Sequence, residues 1–332
     1  MCEKATFFRL SVFLPVFGLF CVLLQSFFMP ATLPWHIHYY IMARSKVIYH
    51  VMALLTAMVW AVTFVSSKIL LSFGIQPSEI FFLRFLLAYI AIIPFAPKRL
   101  WCKNVKHEML MALLGITGGS AYFLFENTAL QFTSAGNVCL LVSSTPLLIA
   151  LLSIWMGRGE KLTRRLVLGS IVAFAGVALV VINDWTHVQL KFAGDILALL
   201  AALMWAFYQH LTKHAYAHYS AIFITRKVFA YGLLSIIIYF LFFPPTISLG
   251  VFSHPTVIVN LAFLGIIASC ACFLAWNLVI GNIGSVASSN YLYLQPLIAA
   301  SVSAVVLGEP VTWVMIIGMV LIIAGVYWSE RQ

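Results

Sequence analysis

The chain has 332 residues, 63% hydrophobic, 15% aromatic and only 8% charged, more apolar surface than a water-soluble domain of this length can hide. That excludes a soluble enzyme. The formal charge of +10, from 19 Lys and Arg against 9 Asp and Glu, has a meaning set by where the bases lie relative to the apolar runs.

In chain order, residues 10–29 come first, an uncharged apolar run behind Lys4 and Arg9. Residues 1–43 read as a signal peptide, an extra span, or an upstream stretch brought in by the choice of start. The last is favoured, because no small-residue cleavage site is convincing and Met42, followed by Ala-Arg-Ser-Lys, resembles a natural start. A helix crossing hydrocarbon needs about 20 apolar residues, since every backbone amide must be satisfied within it. Ten such stretches follow, predicted near 48–71, 79–97, 109–130, 135–156, 166–183, 194–214, 219–243, 256–279, 285–306 and 311–328. Gly74 with Pro77, Pro97, Gly157 with Gly159, Pro244 with Pro245, and Glu309 with Pro310 punctuate the linkers. The fold class that follows is an all-α polytopic membrane protein. Cys2, Cys21, Cys102, Cys139, Cys270 and Cys272 show no ligand spacing, so neither a disulfide framework nor a metal site is expected.

Basic residues mark alternate linkers. Arg44 and Lys46 precede the first span, Lys98, Arg99, Lys103 and Lys106 lie between the second and third, and Arg158, Lys161, Arg164 and Arg165 between the fourth and fifth. The opposite linkers hold almost none beyond Lys191. The positive-inside rule therefore puts both ends of the ten-helix core in the cytoplasm, and the bases serve topology rather than a nucleic acid.

Self-comparison divides the core into residues 44–190 and 191–332. Leu54, Leu55, Ala57, Trp60, Ala61 and Lys68 recur at one offset as Leu199, Leu200, Ala202, Trp205, Ala206 and Lys213. Arg84, Ala88 and Tyr89 recur as Arg226, Ala230 and Tyr231. Gly115, Ile116, Phe123 and Asn127 recur as Gly265, Ile266, Phe273 and Asn277, and Pro146 as Pro296. Glu160, Gly169 and Gly176 return as Glu309, Gly318 and Gly325. Five spans per copy is an odd number, so the second copy enters the membrane from the other face. Inverted repeats suit alternating access, in which two unequal halves exchange conformations around one site.

These motifs resemble the drug/metabolite transporter superfamily, in particular its ten-helix EamA-type exporters with two EamA domains. The resemblance rests on Trp60-Ala61 running to Lys68, Arg84, Thr128-Ala129-Leu130 leading into Thr133-Ser134-Ala135-Gly136-Asn137, Pro146, Gly194-Asp195, Trp205-Ala206, Gln295-Pro296 and Leu307-Gly308-Glu309-Pro310. The Gly157-Arg158-Gly159-Glu160 stretch departs from the usual Gly-Glu pair. The resemblance implies a bacterial inner-membrane secondary transporter, often an exporter of amino acids or related metabolites, with no ATP-binding module and no cofactor.

Candidate site residues come from polar and aromatic groups at mid-membrane. Pro146 and Pro296 should break the bonds to the carbonyls of Val142 and Leu292, freeing them to bind. Ser144, Tyr291 and Gln295 lie near these kinks, while Trp60 and Trp205 sit at the centres of equivalent spans rather than at headgroup level. With Asn127, Tyr208 and Asn277 they form the candidate substrate set, although core packing explains large buried aromatics equally.

Intramembrane charges are functional candidates because of their desolvation cost. Lys68, Arg84 and Glu126 map to the outer third, where Glu126 is placed to neutralise one base and to carry a proton if transport is coupled. Lys213, Arg226 and Lys227 map to the cytoplasmic third, where the counterpart of Glu126 is Trp276. An electropositive vestibule without its own carboxylate is the expectation, against bases that merely snorkel. His210, His214 and His218 share a face but have no carboxylate beside them, so a metal is not expected.

The expected partners are a small-molecule substrate and membrane lipids, with a homodimer left open. Exchange of phosphorylated metabolites or nucleotide sugars is the second transport reading. A polytopic membrane enzyme is a third, and it would need a convergent acid, base or metal cluster.

Overall fold

A computed structural model describes residues 45–97, 99–155, 164–182, 188–308 and 311–330. The leader, Glu160 and Glu309 lie outside the described residues, as do Arg158 and Lys161 in the linker after the fourth span. Among the described residues, ten helical rods follow one another without a strand: α1 (Ser45–Ser72), α2 (Pro77–Ile92), α3 (Val105–Phe132), α4 (135–155), α5 (Arg164–Ile182), α6 (Val188–Tyr216), α7 (Ala221–Phe242), α8 (Pro255–Ile283), α9 (285–307) and α10 (Trp313–Glu330). Seven of the helices are long and apolar enough to cross a membrane, with shorter apolar stretches at Ala135–Ile149 and Trp313–Gly325. The chain is a polytopic membrane protein.

Helix ends follow local chemistry. The Asn104 side chain accepts the His107 amide at 2.8 Å at the start of α3, and Ser134 accepts that of Asn137 at 3.1 Å at the start of α4, each satisfying a donor the helix leaves open. Gly308 closes α9 at φ 69°, a left-handed conformation that favours glycine. The expected spans and these rods agree to within a few residues, α3, α6 and α8 running a turn or so longer than their apolar cores.

Packing crosses between the two halves. α1 packs on α8 and α9, and their repeat counterparts α6 on α3 and α4. α2 packs on α8 as α7 packs on α3, and α5 lies along α10. Glycines permit the closest approaches. A Cβ on Gly115 would meet Tyr231 Cβ at 2.5 Å, and one on its repeat partner Gly265 would meet Leu87 Cβ at 2.5 Å. At the α5–α10 seam, a Cβ on Gly325 would stand 2.4 Å from the Ala173 nitrogen and 2.6 Å from the Gly169 oxygen. These seven-residue glycine pairs mark close contact, the small-residue packing used where lipid removes any hydrophobic drive for association.

Two irregularities recur at matched places. α3 widens into a π-helical turn at Ile116–Ser120, directly after Gly115, and α8 does the same over Phe263–Ala271, a stretch that includes the matched Gly265. Such bulges concentrate at functional sites. The proline kinks also appear. α4 breaks into Ala135–Val142 and Thr145–Trp155, and α9 passes through a 3-10 turn at Asn290–Leu294 before Gln295–Leu307. The expectation of free carbonyls is corrected. The Thr145 hydroxyl donates to the Val142 oxygen at 2.6 Å, and the Ser143 hydroxyl reaches from the other half to the Leu292 oxygen at 3.3 Å. Neighbouring hydroxyls take what the prolines release.

Replacing Gly325 by Val forces α10 off α5 against backbone atoms that have no freedom to yield. The expected cost is about 1–3 kcal/mol, read as a lower melting temperature of the detergent-solubilised protein; an unchanged melting curve would contradict this seam.

Candidate functional site: an aromatic cavity between the halves

A cavity lies where the two halves meet, lined by Trp60, Thr63 and Phe64 from α1, Arg84 from α2, Tyr122, Phe123 and Glu126 from α3, Val142, Trp205 and Phe273 from α4, α6 and α8, and Leu292 and Gln295 from α9. It spans about 380 Å³ of atom-free space, part of it open, of which about 20 Å³ admits the centre of a water molecule. That is room for one or two waters. An organic solute enters this conformation only by moving the rings apart.

The walls are aromatic and fixed by geometry. Trp60 and Trp205 meet edge to face at 5.2 Å between ring centroids, and Trp60 also lies 4.9 Å from Trp276. Tyr122 and Tyr208 flank Trp205 at 5.0 and 4.8 Å. The Trp60 indole donates to the Ala268 carbonyl at 2.9 Å, within the π-helical turn of α8. The ring is thereby held across the cavity wall.

Charge enters on one side. Arg84 and Glu126 are each 1% exposed. The Arg84 Nε donates to the Ser269 hydroxyl at 3.0 Å, and its guanidinium carbon stands 4.0 Å over the Phe123 ring, a cation–π contact of about 2 kcal/mol when desolvated. Arg84 and Glu126 interact electrostatically, and Tyr122 hydrogen-bonds Glu126. Yet the Arg84 Nη1 and Glu126 Oε2 have no hydrogen-bond partner among the described residues.

Of the candidate site residues singled out from sequence, Trp60, Trp205 and Gln295 line the cavity together with Arg84 and Glu126, as do Val142 and Leu292 beside the proline kinks. The others stand outside it. The Tyr208 hydroxyl donates to the Asn277 oxygen at 2.7 Å, and the Asn277 amide donates to Thr225 at 2.8 Å. These three residues form a buried polar lock. Asn127, the repeat partner of Asn277, has neither amide atom bonded among the described residues, where the counterparts of Tyr208 and Thr225 are the shorter Thr63 and the apolar Leu83. Ser144 donates to the Leu141 carbonyl at 2.7 Å, and the Tyr291 hydroxyl lies 2.8 Å from His50 Nδ1. The Lys68 ammonium donates to the Thr133 oxygen at 2.8 Å, and Lys213 is exposed.

The expected vestibule lacking a carboxylate is corrected as well. Glu108 of α3, from the other half, pairs with Lys227 and also accepts from the Tyr231 hydroxyl and, at 2.7 Å, from the Cys102 amide. Arg226 donates to the carbonyls of Pro97 and Arg99. These cations fasten the end of the bundle that carries the 99–104 linker. A polar set closes the opposite end: the Asn137 amide donates to Asp195 at 2.7 Å, and Glu79 accepts the Thr246 amide at 2.5 Å. His107 stacks on His218 at 4.7 Å, and no metal-binding group of His, Cys, Asp or Glu occurs among the described residues.

Sequence reasoning missed Tyr122, Thr63 and the matched π-helical turns. The repeated Gly-Ile steps at 115 and 265 were the available signal for the turns. It also missed Glu108, whose partner sits on α7 far along the chain.

The model of the EamA-like transporter family matches residues 47–182 and 192–330, one match for each half, and the chain belongs to that family. It is similar to an uncharacterized transporter of Archaeoglobus fulgidus, 29% identical over 85% of this chain and 97% of the relative. It also resembles a probable terminal-alkyne amino-acid exporter of Streptantibioticus cattleyicolor, 27% identical over 84% and 92% of the two chains. A probable amino-acid metabolite efflux pump of Escherichia coli K12 is 25% identical over 83% and 93%. A solved crystal structure superposes with a TM-score of 0.61 at 17% identity, covering 85% of this chain and 96% of the other, which shows the shared fold. The protein is a transporter of small molecules and not an enzyme.

Lys227→Met leaves the Glu108 carboxylate without its cation, a loss of about 1–3 kcal/mol in stability. Adding Glu108→Gln should recover part of it. A thermal-melt cycle in which the two single losses simply add, or more than add, in the double variant would contradict the pairing.

Proposed function

We propose that this protein is a secondary transporter of the inner membrane that exports amino acids or closely related metabolites by alternating access at the aromatic cavity. The observation that carries the reading is the position of that cavity. Its wall draws on both halves, with Trp60 and its repeat partner Trp205 in mutual contact across the seam. A solute held there touches both halves, so a change in their relative tilt opens it to one side or the other.

The two polar closures fit this scheme. The Glu108–Lys227 set ties α3 to α7 at one end, and the Asn137–Asp195 and Glu79–Thr246 contacts tie α4 to α6 and α2 to the segment after α7 at the other. Opening toward either face requires parting one set while the other holds. By the distribution of Lys and Arg, the end carrying Arg99 and Lys103 faces the cytoplasm, with both core termini. The relatives named as amino-acid exporters favour that substrate class and direction.

Purified protein in proteoliposomes should show counterflow of an apolar amino acid such as phenylalanine. Trp60→Ala and Trp205→Ala should each lower the rate roughly tenfold or more, a loss of about 1.4 kcal/mol or more, while inserting at normal levels. Counterflow unaffected by both substitutions would rule out this cavity as the transport site.

A further inference from the structure

We infer that Arg84 and Glu126 form a dipolar recognition pair that selects solutes bearing both a free carboxylate and a free ammonium, that is, zwitterionic α-amino acids. The inference rests on the reading of the aromatic cavity as the transport site and sharpens its substrate class.

Both side chains are almost fully buried and line the same cavity. Each is held by part of its polar surface: Arg84 through Nε on Ser269 and its face over Phe123, Glu126 through Tyr122. The remaining atoms, Arg84 Nη1 and Glu126 Oε2, have no hydrogen-bond partner among the described residues. Desolvated charges with unused hydrogen-bonding capacity are costly in a folded protein. Here they also interact with each other. A zwitterion supplies what both lack, a carboxylate to accept from the guanidinium and an ammonium to donate to the carboxylate, and it brings no net charge with it.

The same arrangement disfavours the competing substrates. A phosphorylated metabolite brings two negative charges to a wall with one cation, and would place them beside the Glu126 carboxylate, a like-charge penalty. A solute with its amine blocked leaves Oε2 without a donor, and one with its carboxylate blocked leaves Nη1 without an acceptor. Sites built around buried polar groups reject analogues that leave those groups unpaired more strongly than apolar pockets reject a change in size. The rings of Trp60, Trp205 and Phe273 provide the surface for an apolar side chain.

The test is competition against labelled phenylalanine counterflow in proteoliposomes, using phenylalanine, N-acetylphenylalanine, phenylalanine amide and a sugar phosphate. Unlabelled phenylalanine should compete at least tenfold better than each of the other three. Glu126→Gln should narrow the gap to the N-acetyl compound, and Arg84→Gln the gap to the amide. Arg84→Lys, which keeps the charge, should retain more transport than Arg84→Gln. Equal competition by the free and blocked compounds on the wild-type protein overturns the pair, and needs no variant to fold. Trp60-dependent counterflow of the sugar phosphate in place of phenylalanine also overturns it, while leaving the cavity as the transport site. Absence of any Trp60-dependent counterflow overturns both.

Discussion

The constraint on which this architecture depends is that lipid offers the backbone no hydrogen bonds. Regular helix therefore fills most of the chain, and each departure from it must be answered from within the protein. The departures cluster where the halves face each other. The hydroxyls of Thr145 and Ser143 take the carbonyls displaced by Pro146 and Pro296, and the Trp60 indole takes the Ala268 oxygen in the π-helical turn of α8. Two of these bonds, from Ser143 and from Trp60, cross from one half to the other. The irregular backbone thus orients the cavity wall and couples the halves at once.

Near-symmetry with local breaks gives the cavity its polarity. Arg84 and Arg226 are repeat partners, but Arg84 finds a hydroxyl on Ser269, where the corresponding place opposite Arg226 is Gly119. Arg226 turns instead to the carbonyls of Pro97 and Arg99. Likewise the copy of Glu126 is Trp276, which packs on Trp60. One side of the cavity is consequently charged and the other aromatic, although both derive from one five-helix plan. A duplicated scaffold supplies the symmetry, and single substitutions at matched positions make the two sides of the cavity chemically different.

Much of this is legible in the sequence, because span length, the punctuation by Gly and Pro, and an internal match such as Trp60 with Trp205 are local or periodic signals. Proline kinks were legible for the same reason. The fate of the carbonyls was not, since it depends on Ser143 meeting a residue far away in the chain. Repeat alignment leaves the cation cluster unpaired because it compares each residue with its copy. Glu108 answers Lys227 across the halves, a relation no alignment of a chain with itself contains. Asn127 and Asn277 carry the same side chain and differ in bonding, with Thr63 and Leu83 at the places matched to Tyr208 and Thr225, a difference that needs the packing to be seen.

The most direct measurement is the sidedness of access to the cavity. With Thr63→Cys as the single cysteine, a membrane-impermeant thiol reagent is applied to sealed proteoliposomes of known orientation, from each face in turn. Alternating access at this cavity requires labelling from both faces, slowed by saturating phenylalanine. Labelling from one face alone under every substrate gradient, or from neither, would contradict a carrier that exposes this site to the two sides in turn.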